Sequence, residues 1–374
     1  MEASREREVF ASRIANVRRM MAGVGVDLLV GYSSGQHSIG TLDAVRWLSG
    51  FKPMAEAAVL LPKDDEPALV VSPVWDEARA RKRSWIERVV AGNDFGAAFG
   101  RPTIASKVGI LGAGRRSHAT KAFFEGQFPA GLTDLDEQLE QLAAVKDDLE
   151  LELMRQATSI AERGYEHMLE TARPGMREYE LAAEVERFVK SLGADDNFLL
   201  LCASRQHPAV RAPNDRVLDV GDVIIGEVSP SVKGQFTQIC RTAVIGPASE
   251  TQRERHQLLI ESMLAGMSAG RPGATVGQVV QAMNHAPAAA GFEKYCHPPY
   301  MRVRGHGLGL GSTLPGDLSL DNQTPLRAGM TFVIHPNQFL PDAGYLMVGE
   351  PVLVTDGGLK AFTDRAPGID SIEV

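Results

Sequence analysis

Hydrophobic and polar positions in the first third of the chain follow two alternating periods. Residues 5–24 carry apolar side chains at helical spacing, whereas VDLLVGY at 26–32 is a short apolar run of strand length. The runs AVLLP at 58–62 and ALVVS at 68–72 are bounded by proline and charged residues, as strands that end in turns are. The pattern predicts a small α/β domain.

The pattern changes to long amphipathic helices near residue 146. The stretch 132–145 reads as an acidic helix that connects the two halves. KDDLELELMRQATSIAERGYEHML then places apolar residues at i, i+3, i+4 and i+7, and a second amphipathic helix ends at Gly193. We therefore predict one domain over 1–145 and another over 146–374.

Strands dominate the rest of the second domain. Helices are predicted only over 251–270 and 276–290, so strands and helices are segregated rather than strictly alternating. This arrangement indicates an α+β domain.

Composition narrows the possible partners. The net charge of −8 comes without a basic block, which argues against nucleic acid or an anionic membrane surface. Three widely separated cysteines suit a reducing compartment, and the N-terminus lacks the apolar run of a signal peptide. We expect a cytoplasmic protein without membrane spans.

The second domain contains five motifs with a familiar spacing. They are GDVIIGEVSP at 221–230, QFTQICRT at 235–242, GHGLGL at 305–310, FVIHPN at 332–337 and GYLMVGEPVLVT at 344–355. Together they resemble the pita-bread family of methionine aminopeptidase, aminopeptidase P, prolidase and creatinase. The resemblance implies an α+β pita-bread catalytic domain after a smaller α/β creatinase-type N-terminal domain. RWLSGF at 46–51 resembles a short strand-like signature of that N-terminal domain.

The resemblance also implies where metal ligands would lie. Metal-dependent members hold two ions with Asp, Asp, His, Glu and Glu, and these positions fall here at Glu227, Gln238, His306, His335 and Gly349. A neutral amide cannot bridge two ions as a carboxylate can. We therefore expect no two-metal site, and we favour no cofactor.

A single metal remains an alternative. Glu227, His306 and His335 form a set of two imidazoles and one carboxylate, which suits one zinc or iron if the three converge. The same residues are equally consistent with a buried histidine that is simply hydrogen-bonded to a carboxylate.

Creatinase, which works without metal, provides the precedent for the predicted function. We predict a hydrolase that cleaves a C–N bond in a small polar metabolite by metal-independent acid–base chemistry and is not a typical peptidase. Glu227 is the candidate base and His306 or His335 the candidate acid. Cys240 is either a nucleophile or a small core residue.

Six further residues are candidates for binding the small-molecule substrate, and their motifs place them near these groups. They are Gln238, Asn337, Tyr345, Glu350, Arg46 and His207. The resemblance to dimeric creatinase implies a homodimer in which Arg46 lies near the neighbour's active site. Two other functions stay open, namely a single-metal hydrolase or lyase and a catalytically inactive pseudopeptidase that binds a ligand or partner.

Overall fold

The computed structural model describes residues 2–100 and 107–374. The chain divides into two units, Met1–Ala143 and Ala144–Val374. None of the described helices is both long enough and apolar enough to cross a membrane.

The first unit is an α/β domain around one mixed sheet with the strand order β4-β3-β2-β1-β5-β6. Its strands are β1 (Leu28–Ser33), β2 (Ala57–Pro62), β3 (Ala68–Val71), β4 (Arg88–Ala91), β5 (Val108–Leu111) and β6 (Leu132–Asp134). Its helices are α1 (Glu2–Val24), α2 (Ala44–Ser49), α3 (Glu77–Arg83), α4 (Phe95–Phe99), α5 (His118–Gln127) and α6 (Asp136–Ala143).

Two local predictions in this unit were wrong. The segment predicted to be strand-like at 46–51 lies largely in helix α2, because Asp43 caps the helix by accepting a hydrogen bond from the Arg46 amide. Gly50 then ends α2 in the left-handed conformation, with φ of 73°. The stretch 132–145 is not one helix, since its first residues form β6 as a parallel partner of β5 before α6 begins.

The second unit is built from helices on two principal sheets. Its helices are α7 (Asp148–Thr171), α8 (Glu178–Ser191), α9 (Glu250–Ala269) and α10 (Val276–Pro287). Its strands are β7 (Asp196–Ser204), β8 (Val223–Val232), β9 (Gln235–Phe236), β10 (Ile239–Ile245), β11 (Gly305–Gly307), β12 (Thr331–Ile334), β13 (Gln338–Leu340), β14 (Gly344–Leu346), β15 (Glu350–Thr355), β16 (Gly358–Ala361) and β17 (Ile369–Ile372). One sheet follows the order β17-β10-β8-β7 and the other β11-β12-β15-β16.

The helices begin where the sequence supplies caps. Asp147 accepts a hydrogen bond from the Glu150 amide, and the Glu150 carboxylate accepts one from the Asp147 amide at the start of α7. Ser249 and Gln252 form the same reciprocal pair at the start of α9.

Alternation along β8 and β10 divides the core of this unit into two clusters. Ile224 and Val228 pack in a cluster with α7 and α8, whereas Val223 and Ile225 pack in a cluster with α9, α10, β12 and β15. Glu227 has the same parity as Val223 and Ile225, so its side chain lies on the second of these faces.

Candidate active site

One cross-strand row of residues connects the two sheets and carries most of the candidate chemistry. Glu227 on β8 pairs with Cys240 on β10, and Cys240 bridges to Gly349 just before β15. His335 follows β12, beside Gly349, and its amide donates to the carbonyl of Arg304, just before β11. Because directly opposed residues in a sheet share a face, the four side chains of this row lie on one face. We call Glu227, Cys240, Gly349, His335 and Arg304 the pocket row.

Gly349 is the narrowest point of the pocket row. A Cβ atom at this position would lie 2.7 Å from the Cβ of His335 and 2.9 Å from the Sγ of Cys240. His335 and Cys240 therefore pack directly against Gly349, and no side chain at position 349 fits without displacing them.

Glu227 is the carboxylate of the pocket row, and it is partly buried. Burial raises its pKa to about 7, with Arg302 lowering it in part. A carboxyl group with such a pKa exists in both protonation states at neutral pH. Glu227 can therefore accept and return a proton during a reaction.

The imidazole of His335 in the pocket row lies near a second imidazole. The rings of His306 and His335 have their centroids 5.9 Å apart with an interplanar angle of 68°. Burial lowers the pKa of His306 and lowers that of His335 to about 3, with the neighbouring His306 adding to the effect at His335. Both rings are neutral at pH 7, which weakens the prediction that either serves as the acid.

The hydrogen bonds of these imidazoles determine which nitrogens remain available. The Nδ1 of His306 lies 3.0 Å from the Gly307 carbonyl oxygen, which can only accept, so Nδ1 carries the proton and Nε2 is the acceptor. The buried Nδ1 of His335 has no hydrogen-bond partner among residues 2–100 and 107–374. An unpaired buried nitrogen is unusual and marks this part of the row as incompletely satisfied.

The residues present do not fit the two-ion centre that the family resemblance implies. Gly349 offers no donor, and Gln238 is a buried amide whose Nε2 lies 3.6 Å from the Sγ of Cys240. Across residues 2–100 and 107–374, no three His, Cys, Asp or Glu side chains converge as a group that could hold a metal ion. The alternative of one zinc or iron on Glu227, His306 and His335 is therefore not supported by the placement of these side chains.

Cys240 is fully buried between Glu227 and Gly349. Burial, followed by the charge of Glu227, raises the pKa of its thiol far above the ordinary value. The thiol stays protonated at neutral pH, which supports a core position over a nucleophile.

Tyr345, one of the residues predicted to bind substrate, interacts with several groups of the pocket row. It is partly buried and interacts electrostatically with Glu227, Cys240 and Arg304. Burial, together with the charge of Glu227, raises the pKa of its hydroxyl, which therefore remains a hydrogen-bond donor.

Other predicted substrate residues are engaged in contacts within the protein. Glu350 forms an ion pair with Arg241, with 3.0 Å between Oε1 and Nη2. The Oδ1 of Asn337 accepts a hydrogen bond from the Val348 amide at 3.0 Å. The Nε2 of His207 lies 2.6 Å from the Val223 carbonyl oxygen and donates to it.

Arg46 lies in helix α2 of the first unit, and 6% of it is exposed.

Sequence reasoning missed two arginines that precede His306. Arg304 belongs to the pocket row, and the exposed Arg302 interacts electrostatically with Glu227, His306 and His335. The segment MRVRGHG carried a usable signal, because residues two apart on an extended strand share a face and Arg302, Arg304 and His306 follow that spacing.

The α/β first unit and the α+β second unit have the architecture expected of the pita-bread family. Residues 152–356, more than half of the chain, match the model of metallopeptidase family M24. The chain belongs to this family, which confirms the resemblance drawn from the five motifs.

Three relatives show how far the similarity extends. A Bacillus subtilis protein named uncharacterized peptidase YqhT is 23% identical over 362 residues, covering 94% of this chain and 97% of its own. A Xaa-Pro dipeptidase from Pyrococcus horikoshii is 24% identical over 326 residues, covering 85% of this chain and 90% of its own. The crystal structure of a prolidase from the same organism superposes with a TM-score of 0.83 at 20% identity, over 95% of this chain and 99% of that one. This superposition confirms the predicted fold class.

The comparisons correct the predicted function. A metal-independent hydrolase of a small non-peptide metabolite was expected, but the family is one of metallopeptidases and the similar proteins are named peptidases or Xaa-Pro dipeptidases. The prediction was wrong because it weighed the changed ligand positions above the similarity of the whole chain. The alternatives of a single-metal hydrolase or lyase and of an inactive pseudopeptidase are likewise not favoured. A metallopeptidase family does fit the expectation that zinc or iron is a possible cofactor.

Proposed function

We propose that this protein hydrolyses the peptide C–N bond of a short peptide of dipeptide size. Support comes from the relatives that match along nearly their whole length, which are named as a peptidase and a Xaa-Pro dipeptidase. The observation in the site that carries the proposal is Glu227, a partly buried carboxyl group with a pKa near neutrality on a face shared with neutral imidazoles.

Glu227 would carry the proton in this reaction. Its carboxylate accepts a proton from water as the water oxygen bonds to the peptide carbonyl carbon, and it returns that proton to the nitrogen as the C–N bond breaks. The Nε2 of His306 is free to accept a hydrogen bond from the water. The Tyr345 hydroxyl would donate to the carbonyl oxygen as negative charge develops there.

A panel of dipeptides tests the proposal. The purified protein is assayed against Xaa-Pro and Xaa-Ala substrates, with a chelator and with added zinc, manganese or iron, and product amino acids are quantified. We expect release of amino acids by the wild type and a loss of about a hundredfold or more in kcat for Glu227→Gln. The exposed Glu254→Gln is the matched control and should retain full activity.

We also propose that the chain forms a homodimer. Three exposed apolar side chains of the first unit support this, namely Met54, Val74 and Trp75 with 61%, 44% and 67% exposure. The Met54 amide donates to Asp76, so these three side chains belong to one surface region. Light scattering on the wild type and on Trp75→Glu tests it, and a monomeric wild type would contradict it.

A further inference from the structure

Arg304 is a fully buried arginine with most of its hydrogen-bonding capacity unused. Its exposure is 0%, and its Nε donates to the Oδ1 of Asn284 at 2.8 Å. Among the described residues, no nitrogen or oxygen acceptor meets its buried Nη1 and Nη2, and the thiol of Cys296 is the side chain that the guanidinium contacts besides Asn284. No ion pair joins it to a carboxylate within the part of the chain that the structure describes.

The neighbours of Arg304 do not supply the missing negative charge. Cys296 and Tyr345 are the groups that interact with it, and burial raises the pKa of both, so both are neutral at pH 7. A guanidinium buried without a counter-ion is unfavourable, and an anion that binds to it relieves that cost.

The position of Arg304 directs it toward the candidate active site. It lies at the opposite end of the pocket row from Glu227 and on the same face as His335 and His306. Tyr345 interacts electrostatically with both Arg304 and Glu227. His306 and Tyr345 are partly exposed, so this part of the candidate active site is in contact with solvent.

We propose that Arg304 binds the carboxylate of the substrate and thereby fixes the scissile bond relative to Glu227. The ligand class is a small molecule with a free carboxylate, such as the C-terminal group of a dipeptide, held by two N–H donors of the guanidinium. Arg302 adds positive charge at the exposed end of the same segment. This inference rests on the proposed peptidase function for the identity of the substrate, but not for the anion site itself.

The kinetic test compares a dipeptide with its C-terminal amide. We expect the wild type to favour the free acid by at least tenfold in kcat/KM, and we expect Arg304→Gln to lose that preference through a raised KM with little change in kcat. Arg304→Lys should recover part of the preference, because it keeps the charge without the paired donors. Arg271→Gln, an exposed arginine on the surface, is the control and should behave as the wild type. An unchanged acid-to-amide ratio in Arg304→Gln would overturn the proposal.

A binding test separates this proposal from the proposed peptidase function. Thermal shift is measured with proline, prolinamide, chloride and phosphate on the wild type and on Arg304→Gln. We expect proline to raise the melting temperature of the wild type alone and prolinamide to have no effect, even if the protein cleaves none of the dipeptides tested. A shift with chloride or phosphate but none with proline would assign the site to a free inorganic anion and overturn the proposal.

The ligand-free melting temperature distinguishes substrate binding from a structural role. If Arg304 serves ligand binding rather than stability, removal of its unpaired charge should leave the melting temperature of Arg304→Gln unchanged or raised. A drop of several degrees together with an unchanged response to proline would show that Arg304 braces the fold, and it would contradict the proposal.

Discussion

Two buried arginines of the second unit each leave two side-chain nitrogens without a hydrogen-bond partner among the described residues, but they differ in whether a carboxylate lies beside them. Arg241 faces α7 and pairs with Glu350 at 3.0 Å, and its Nη1 donates to the carbonyls of Gly349 and Cys240 at 2.8 and 3.0 Å. Arg304 donates to Asn284 and interacts with the neutral Cys296, and no carboxylate of the described residues pairs with it.

The same contrast extends to the neighbours of these arginines. Glu350 also accepts a hydrogen bond from Thr363, whereas the Nδ1 of His335 in the pocket row has no partner. Folded proteins rarely leave buried polar groups unpaired, and such groups concentrate where a ligand completes them. We therefore expect the ion pair of Arg241 and Glu350 to stabilise the fold, whereas the pocket row is the proposed substrate site.

The largest expected effect is at the buried ion pair of Arg241 and Glu350. Arg241→Met should reduce the free energy of unfolding by about 3–5 kcal/mol, because it leaves the buried carboxylate of Glu350 without its partner. Urea unfolding followed by circular dichroism measures this change. Arg304→Met provides the comparison and should cost far less, so equal losses in the two variants would remove the distinction between the faces.

A smaller loss is expected at the narrowest point of the pocket row. Gly349→Ala should destabilise the protein by about 1–3 kcal/mol, because its Cβ would approach His335 and Cys240 to less than 3 Å. Gly357→Ala is the matched control, since its Cβ would meet only the Thr355 hydroxyl at 3.8 Å. Unfolding curves that coincide for the two variants would contradict the close packing of the row.

The raised pKa of Glu227 predicts a dependence of stability on pH. Because its folded-state pKa of about 7 lies above that of an unfolded glutamate, the native state binds more protons between these values and stability falls as pH rises through this window. The contribution amounts to roughly 2 kcal/mol between pH 4 and 8 after allowance for partial exposure. The pH profile of unfolding should become flatter in Glu227→Gln and remain unchanged in Glu254→Gln.

The smallest effect concerns Cys240. Cys240→Ala should cost about 1 kcal/mol of stability and leave kcat within about twofold of the wild type, because its buried thiol stays protonated. Loss of activity in this variant at unchanged stability would instead identify Cys240 as a nucleophile.

The fold class was predictable because the evidence for it lies in short segments of the sequence. The five motifs carried the family resemblance that predicts the pita-bread fold, which the structure confirms. Helix α2 was mistaken for a strand because its short apolar run gives no period, and the cap by Asp43 decides the outcome.

The site was less predictable because its key properties depend on distant residues. The closure of His335 and Cys240 over Gly349 joins three strands, and no sequence pattern reports that distance. The pairing of Glu350 with Arg241, and the absence of a carboxylate beside Arg304 in the described part of the chain, likewise depend on tertiary structure. The sequence shows only the two-residue spacing of Arg302, Arg304 and His306. The register of β11 and β12 is needed to place these residues near His335.

The most direct test of the central claim is hydrolysis of free-acid dipeptides by the wild type, Glu227→Gln and Glu254→Gln, assayed side by side at pH 7 with and without added divalent ions. The account predicts release of amino acids by the wild type and Glu254→Gln, with a loss of about a hundredfold or more in Glu227→Gln. Equal turnover by all three proteins would contradict the assignment of catalysis to the pocket row.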